Sequence, residues 1–283
     1  MKNSSFKIKL LLTITLMIGA ISSSAQPQFD PEAMRAKYEA RKPHLDSMAN
    51  YPTDFGMDYE SFNCNTHDSI SISGWFIPNV METGTILMVH GFDMNKSHML
   101  SRANFFHNQG YSILLIDLRA RGESGGLKAT TGKLNGQDVE ATYNWYQDNY
   151  ANQFGPITFY GYSHGGRAII FGANETGSEA NIILESTPYI LANGFERQYH
   201  FPSPMSVQEI ELNQALGQLK TKSLLLLIGD NDTAIIPEEA DTLIEQLGTS
   251  CSSDLIIFEN TKHAIYCDKN MTQYQSTIQL FLD

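Results

Sequence analysis

The sequence has few cysteines, and their arrangement argues against two ways of stabilising a small domain. Only three occur in 283 residues, and they form neither a CxxC pair nor a zinc-binding pattern. A disulfide framework and a structural zinc site are therefore not expected. Cys251 and Cys267 both lie near the C-terminus and can form a disulfide in an exported protein, with buried free thiols as an equally supported alternative.

Basic residues are also in the minority. The chain has 19 lysines and arginines against 31 acidic residues, which gives a formal net charge of −12. The first 25 residues contain three lysines and no acidic residue, so the rest of the chain carries −15. A body this acidic repels nucleic-acid phosphates and anionic lipid surfaces. We therefore expect neither a nucleic-acid partner nor a membrane partner for the mature protein.

Motifs for bound metals and cofactors are missing as well. The histidines do not fall in an HExxH spacing, and no cluster of carboxylates suggests calcium. Residues 122–126 are rich in glycine but lack the GK[ST] ending of a phosphate-binding loop. The sequence thus predicts a protein that works without a metal or an organic cofactor.

Only one long apolar run occurs, and it lies at the N-terminus. Three lysines precede an almost unbroken apolar segment over residues 10–21, and small side chains at residues 23–25 follow it. This three-part pattern predicts a secretory signal peptide over residues 1–25 that is cleaved near Ala25. The alternative is a retained membrane anchor, although the run is shorter than the ~20 residues of a full span. We expect a protein that is exported to the periplasm or secreted.

The rest of the chain alternates short apolar strands with helical segments. Residues 26–56 are predicted as a helical lead-in, and residues 57–64 and 69–77 show the alternation of an antiparallel edge pair. The strands and helices that follow predict an α/β fold, with a mostly parallel, doubly wound central sheet over residues 57–283 and helices on both faces. These strands are predicted at residues 85–89, 112–116, 157–160, 181–184, 223–228 and 254–258. Residues 187–218 are too long for a plain connection and predict a small cap insertion.

A serine at a strand-to-helix junction is the first candidate for catalysis. Residues 161–165 read GYSHG and fit the G-x-S-x-G pattern, which is weak in isolation but here follows an apolar strand and opens a helix. That placement exposes the hydroxyl of Ser163 on a sharp turn, where a flanking β-carbon would clash. The helix N-terminus also offers free N–H groups beside a developing oxyanion. An ordinary glycine-rich turn is the alternative interpretation.

A base and an orienting acid follow in the order that suits a serine nucleophile. Asp230 and Asp232 lie in the turn directly after the predicted strand at residues 223–228. His263 follows the next strand, at the same edge of the sheet. The order Ser, Asp, His is that of the α/β-hydrolases. On position alone, both aspartates are candidates for the acid.

From its first predicted strand to its C-terminus, the chain resembles the α/β-hydrolase superfamily. The resemblance implies that the acid lies three residues after the glycine of a G-x-x-D turn, which selects Asp232. It also implies that residues 90–92 (HGF) form the oxyanion loop, in which the main-chain N–H groups of Phe92 and His164 bind the carbonyl oxygen. His90 is then a residue that braces this loop.

A second stretch resembles another signature of the same superfamily. Residues 117–126 fit the D-x-R-G-x-G-x-S turn, with Ala120 in place of the usual first glycine and Arg121 where histidine or an aromatic residue is common. In the family this turn supports the floor of the active site, so the resemblance implies a structural role. A position of Arg121 and Glu123 in the pocket itself is the alternative.

Together these residues predict a serine hydrolase that cleaves an ester-type bond through an acyl-enzyme, with a carboxylesterase acting on a small ester or acyl substrate as the leading choice. A small peptidase or amidase and a thioesterase of the same fold are alternatives. The aromatic residues within 187–218 fit either a substrate pocket or the core of a cap. A binding module with a vestigial triad is a hypothesis from another class. The sequence leaves the natural substrate and the oligomeric state open.

Overall fold

The structure is a computed structural model that describes most of the chain beyond residue 46. The described residues are 47–151, 153–189, 207–248, 251–263, 265–266 and 268–283, without the side chains of residues 207–210 and 268. Within them, eight strands form one sheet in the order β1-β2-β4-β3-β5-β6-β7-β8. The strands are β1 (Glu60–Asn65), β2 (Ser71–Ile77), β3 (Gly84–Val89), β4 (Tyr111–Ile116), β5 (Ile157–Tyr162), β6 (Asn181–Glu185), β7 (Ser223–Gly229) and β8 (Ser252–Phe258).

The sheet is mostly parallel. Strand β2 runs antiparallel to β1 and to β4, whereas every other neighbouring pair is parallel. All residues of β3, and all but the first of β4 and β7, are buried. Helices cover both faces of such a sheet, and for that reason its strands are continuous apolar runs and do not alternate. The predicted fold class and the antiparallel edge pair are confirmed.

Helices on the two faces of the sheet enclose two apolar cores. The helices of the described residues are α1 (Leu100–Asn108), α2 (Lys133–Tyr150), α3 (His164–Thr176), α4 (Val207–Gln218), α5 (Pro237–Leu247) and α6 (Met271–Leu282). Alternate residues of β3 point to opposite faces. Leu87 and Val89 enter the core that α2 to α5 cover, and Ile86 and Met88 enter the core that α1 and α6 cover. The carboxyl ends of β3 to β8 therefore open onto one shared edge between the two layers.

Several predictions fall wholly or partly outside the described residues. These include the signal peptide, most of the helical lead-in, the centre of the cap insertion and Cys267, so the leader, the insertion and the Cys251–Cys267 pairing stay predictions. Helix α4 belongs to the predicted insertion, and it packs Leu212 and Leu216 into the same core as α3 and α5. Among the described helices, none has the length and apolar character needed to cross a membrane.

Candidate active site

Ser163 occupies the turn between β5 and α3. Its backbone has φ 51° and ψ −122°, a conformation that residues other than glycine rarely adopt. Main-chain hydrogen bonds hold this strained geometry. The N–H of Ser163 donates to the carbonyl of Glu185 at 2.7 Å, and the N–H of Gly166 donates to the carbonyl of Ser163 at 2.9 Å. The turn places a partly exposed hydroxyl at the carboxyl edge of the sheet, as the sequence predicts.

The glycines around the serine allow its turn to pack tightly against the neighbouring loop. A β-carbon at Gly165 would overlap the main-chain carbonyl groups of Val89 and His90, and one at Gly161 would overlap Gly166 within the turn. A side chain at either position would force the backbone to move. This close approach favours the strand-to-helix elbow over an ordinary glycine-rich turn.

The three side chains predicted as a catalytic triad form a chain of two contacts at hydrogen-bond distance, with His263 in the middle. His263 Nε2 lies 2.9 Å from Ser163 Oγ, and His263 Nδ1 lies 2.7 Å from Asp232 Oδ2. The imidazole is partly exposed, whereas the carboxylate is fully buried. A hydroxyl, an imidazole and a carboxylate in this geometry can pass the hydroxyl proton to the imidazole. The structure thus brings the predicted residues together, and their catalytic roles stay a prediction.

Of the two candidate acids, Asp232 faces the imidazole. Its Oδ1 accepts hydrogen bonds from the N–H groups of Ala234 at 2.9 Å and Ile235 at 3.0 Å, which leaves Oδ2 for the imidazole. Asp230 is exposed, and its Oδ1 accepts a hydrogen bond from the N–H of Thr261 at 3.0 Å. Asp230 therefore links the turns after β7 and β8, while Asp232 contacts the proposed base.

The loop after β3 lies against the first turn of α3. The rings of Phe92 and His164 meet edge to face with their centres 5.6 Å apart. Among the described residues, neither main-chain N–H donates to another group. His90 braces this loop, since its Nδ1 lies 2.7 Å from the carbonyl oxygen of Gly91 and its Nε2 accepts from the N–H of Leu118 at 3.1 Å. Burial lowers the pKa of His90 to about 3, so its imidazole is neutral.

The turn over residues 117–126 supports the same loop. Lys96 Nζ lies 2.5 Å from Asp117 Oδ2 and 2.6 Å from Glu123 Oε2, and the side chains of Lys96 and Asp117 are fully buried. Arg121 Nε donates to the carbonyl of Phe92 at 3.0 Å, and its guanidinium lies 5.1 Å from the centre of the Phe92 ring. Glu123 is therefore an ion-pair partner of Lys96, and Arg121 braces the loop that carries Phe92.

Glu185, the last residue of β6, and Ser186, which follows it, adjoin the site. The strand predicted from the sequence ends one residue earlier, at residue 184. The carboxylate of Glu185 accepts hydrogen bonds from the N–H groups of Ile265 at 3.1 Å and Tyr266 at 3.2 Å. Ser186 Oγ donates to the carbonyl oxygen of His263 at 2.7 Å. An acidic residue that ends an apolar strand at this sheet edge is the signal in the sequence that points to them.

Three buried carboxylates near this edge are matched by cations. No group of three or more histidine, cysteine, aspartate or glutamate side chains in the described part of the chain could hold a metal ion. Three of the buried carboxylates form ion pairs with lysine or arginine. These pairs are Asp117 with Lys96, Asp138 with Arg119 and Glu185 with Arg102. Their charge is therefore balanced within the protein.

The sequence also matches a known family. The profile of the X-Pro dipeptidyl-peptidases of the S15 family matches residues 33–203, which is more than half of the chain. The chain belongs to the S15 family. The S15 match contains the loop after β3 and the turn with Ser163, whereas Asp232 and His263 lie beyond it.

Individual proteins are similar to this chain in sequence or in structure. Over 251 residues the chain is 25% identical to the uncharacterized protein YqkD of Bacillus subtilis, covering 82% of this chain and 77% of YqkD. The esterase Pf2001 of Pyrococcus furiosus superposes with a TM-score of 0.73 at 25% identity, over 83% of this chain and 96% of the esterase. A dienelactone hydrolase of Anabaena variabilis superposes with a TM-score of 0.60 at 17% identity, over 80% and 96% of the two chains, and shows the fold alone. The protein is a hydrolase of the α/β-hydrolase superfamily.

Proposed function

We propose that the protein is a serine hydrolase that cleaves ester-type bonds, with Ser163 as nucleophile, His263 as general base and acid, and Asp232 as the orienting acid. The observation that carries the proposal is the pair of hydrogen bonds, 2.9 Å and 2.7 Å long, that joins these side chains. They come from turns after three different strands, β5, β7 and β8. A surface histidine or a merely structural turn would not need this arrangement.

The proposed reaction proceeds through a covalent acyl-enzyme. His263 Nε2 takes the proton from Ser163 Oγ as that oxygen attacks the substrate carbonyl carbon. Asp232 keeps the Nδ1 hydrogen directed away from the serine and offsets the positive charge that the imidazole gains. The imidazolium then protonates the leaving alcohol, and the acyl group stays on the serine as an ester. Water next gives a proton to His263 and attacks this ester. As the bond to Ser163 Oγ breaks, His263 returns that proton to the serine oxygen, which releases the acid and restores the hydroxyl.

The charge that develops on the carbonyl oxygen needs hydrogen-bond donors. The main-chain N–H groups of Phe92 and His164 suit this role because they donate to no other group of the described residues. The side-chain rings of the two residues contact each other, so the two residues are neighbours. Loss of one such donor typically costs about 10²–10³ in rate. Arg121 contributes by holding the carbonyl of Phe92, without touching the substrate.

Amide cleavage with release of an X-Pro dipeptide is the second candidate function, and the S15 family match favours it. Dipeptide release from a chain end requires a site for a free ammonium group, which an unpaired carboxylate would balance. Among the described residues, Asp117, Asp138 and Glu185 near this edge are each matched by a cation, and Asp232 faces His263. The similarity to the esterase Pf2001 also supports ester cleavage. We therefore place ester cleavage first.

Ser163→Ala tests the catalytic role of the serine. We expect turnover of a p-nitrophenyl ester to fall by several powers of ten while the melting temperature stays close to that of the parent. A fluorophosphonate probe should label the parent at Ser163 and leave the variant unlabelled. A parent that does not react with the probe would be a binding module with an inactive triad, and a fully active variant would refute the assignment.

A substrate panel distinguishes the two candidate reactions. We would compare kcat/KM for p-nitrophenyl esters of increasing acyl length with kcat/KM for X-Pro p-nitroanilides. The proposal predicts that the best ester exceeds every dipeptide amide. The opposite ranking would assign the protein to dipeptide release.

A further inference from the structure

A buried ion pair lies behind the triad, and the proposed mechanism makes no use of it. Arg102 of α1 donates to the carboxylate of Glu185 through Nη2 at 2.6 Å and through Nε at 2.9 Å. Burial by itself would raise the pKa of Glu185. The guanidinium, together with hydrogen bonds from Tyr160 and from the N–H of Tyr266, outweighs burial and holds that pKa below its usual value. Well-packed apolar residues often stabilise a core as well as a buried ion pair does. The position of this pair therefore suggests a role other than stability.

The carboxylate of Glu185 reaches the segment that follows His263. One oxygen, Oε1, accepts hydrogen bonds from the main-chain N–H groups of Ile265 and Tyr266, and Oε2 accepts one from the hydroxyl of Tyr160. The two N–H groups lie two and three residues after the histidine. The carboxylate therefore fixes the backbone on which the imidazole is carried.

The other members of this group contact both sides of the triad. The guanidinium of Arg102 lies 4.4 Å from the ring centre of Tyr162, which precedes the nucleophile, and 5.3 Å from that of Tyr266 in the loop of the base. The hydroxyl of Ser186 donates to the carbonyl of the base at 2.7 Å. Arg102, Glu185 and Ser186 are termed the strand-end clamp.

We propose that the strand-end clamp positions His263 against Ser163, so that Glu185 and Arg102 are positioning residues for the base. This inference rests on the proposed function. The main-chain carbonyl of Glu185 also accepts the N–H of Ser163 at 2.7 Å, so one strand end holds the backbone of the nucleophile and that of the base. A misplacement of about 1 Å at a catalytic group can cost about 10²-fold in rate. The clamp acts through the histidine and does not touch the substrate.

Two double variants separate the acceptor oxygen from the charge. Arg102→Leu/Glu185→Leu leaves no lone buried charge but deprives two N–H groups of their acceptor. For it we expect kcat to fall about 10- to 100-fold with KM within about 3-fold of the parent. Arg102→Leu/Glu185→Gln keeps an acceptor oxygen of similar reach. We expect it to restore kcat to within about 5-fold of the parent.

Two single variants complete the set. Ser186→Ala removes one hydroxyl, and we expect it to lower kcat about 3- to 10-fold, which keeps the clamp testable if the double leucine variant does not fold. Tyr274→Phe is the matched control. Its hydroxyl lies in the same buried cluster, where it donates to the hydroxyl of Tyr160 at 3.1 Å and not to a residue of the clamp. We expect its kcat to stay within about 2-fold of the parent.

A second measurement separates positioning from a general effect on the fold. Each variant is repeated in a His263→Ala background, where the residual ester hydrolysis comes from the oxyanion donors and from substrate binding. Because the clamp acts through the histidine, its variants should have no further effect there.

The outcomes distinguish the two proposals. If the parent neither hydrolyses esters nor reacts with a fluorophosphonate, the proposed function is wrong and the clamp proposal with it. Suppose instead that the parent is active. The clamp proposal alone is then refuted if the double leucine variant, when folded, and Ser186→Ala keep kcat within about 2-fold of the parent. It is also refuted if these changes lower the residual rate of the His263→Ala protein by the same factor as they lower the rate of the parent.

Discussion

Asp232→Asn should inactivate the protein because of the way in which the carboxylate is held. The N–H groups of Ala234 and Ile235 both donate to Oδ1, so the amide oxygen of the variant would take that place. Its NH₂ group would then face Nδ1 of His263. An amide NH₂ only donates, so the imidazole would have to accept at Nδ1 and carry its hydrogen on Nε2. In that tautomer Nε2 cannot take the proton of Ser163.

The size of the effect follows from the role of the tautomer. In a Ser-His-Asp triad the wrong tautomer lowers kcat by about 10⁴, which is about 5.4 kcal/mol in the activation barrier. The carboxylate of Asp232 is fully buried, so water does not replace it beside His263. We expect KM to stay within about 3-fold, and the melting temperature to change little because both main-chain hydrogen bonds persist.

Steady-state hydrolysis of a p-nitrophenyl ester, together with thermal unfolding, measures this prediction. Asp230→Asn is the matched control, since Asp230 is exposed and contacts the N–H of Thr261 instead of the imidazole. We expect the control to keep kcat within about 2-fold. The tautomer argument would be refuted if Asp232→Asn kept more than about a tenth of kcat, or if the control lost more activity than Asp232→Asn.

Three further predictions concern other parts of the chain. Burial lowers the pKa of His90 and of His164 to about 3. The unfolded chain takes up protons at these histidines below about pH 6.5 and the folded protein does not, so the stability that they contribute above that pH is lost as the pH falls. Urea unfolding at about pH 5 should therefore show a free energy of unfolding about 2 kcal/mol lower per histidine than at about pH 7. Equal free energies of unfolding at the two pH values would contradict this. Burial raises the pKa of Cys64 to about 11, so iodoacetamide at about pH 8 should modify this thiol only after unfolding, and mass spectrometry of the native protein would reveal any exception. The N-terminal pattern predicts that sequencing of the exported protein begins near Gln26, and an intact leader on that protein would count against cleavage.

Most of the sheet could be predicted because its strands are buried on both faces. Such burial makes each strand a continuous apolar run, which is the plainest pattern in the sequence. The start of α2 was harder. The helix begins at Lys133, and Gly136 within its first turn disfavours a helix locally. A β-carbon at Gly136 would lie 2.5 Å from that of Phe171 in α3, so the glycine is explained by the packing of two helices that no local pattern shows.

The triad could be located from strand ends alone, because parallel strands bring their carboxyl ends to one edge. The choice between Asp230 and Asp232 needed the family turn, since both follow β7 and differ only in the direction of their side chains. The pair of Arg102 and Glu185 could not be predicted. Its members are 83 positions apart in the chain, and they meet only because α1 packs on the sheet beside the end of β6.

The end of β6 also determines how heat should affect the site. Glu185 and Ser186 hold the main chain of the nucleophile and that of the base, and β6 pairs with β5 on one side and β7 on the other. We therefore expect Ser163 and His263 to keep their distance on heating until β6 itself unfolds. Activity on heating should persist up to the temperature of global unfolding and disappear together with the fold.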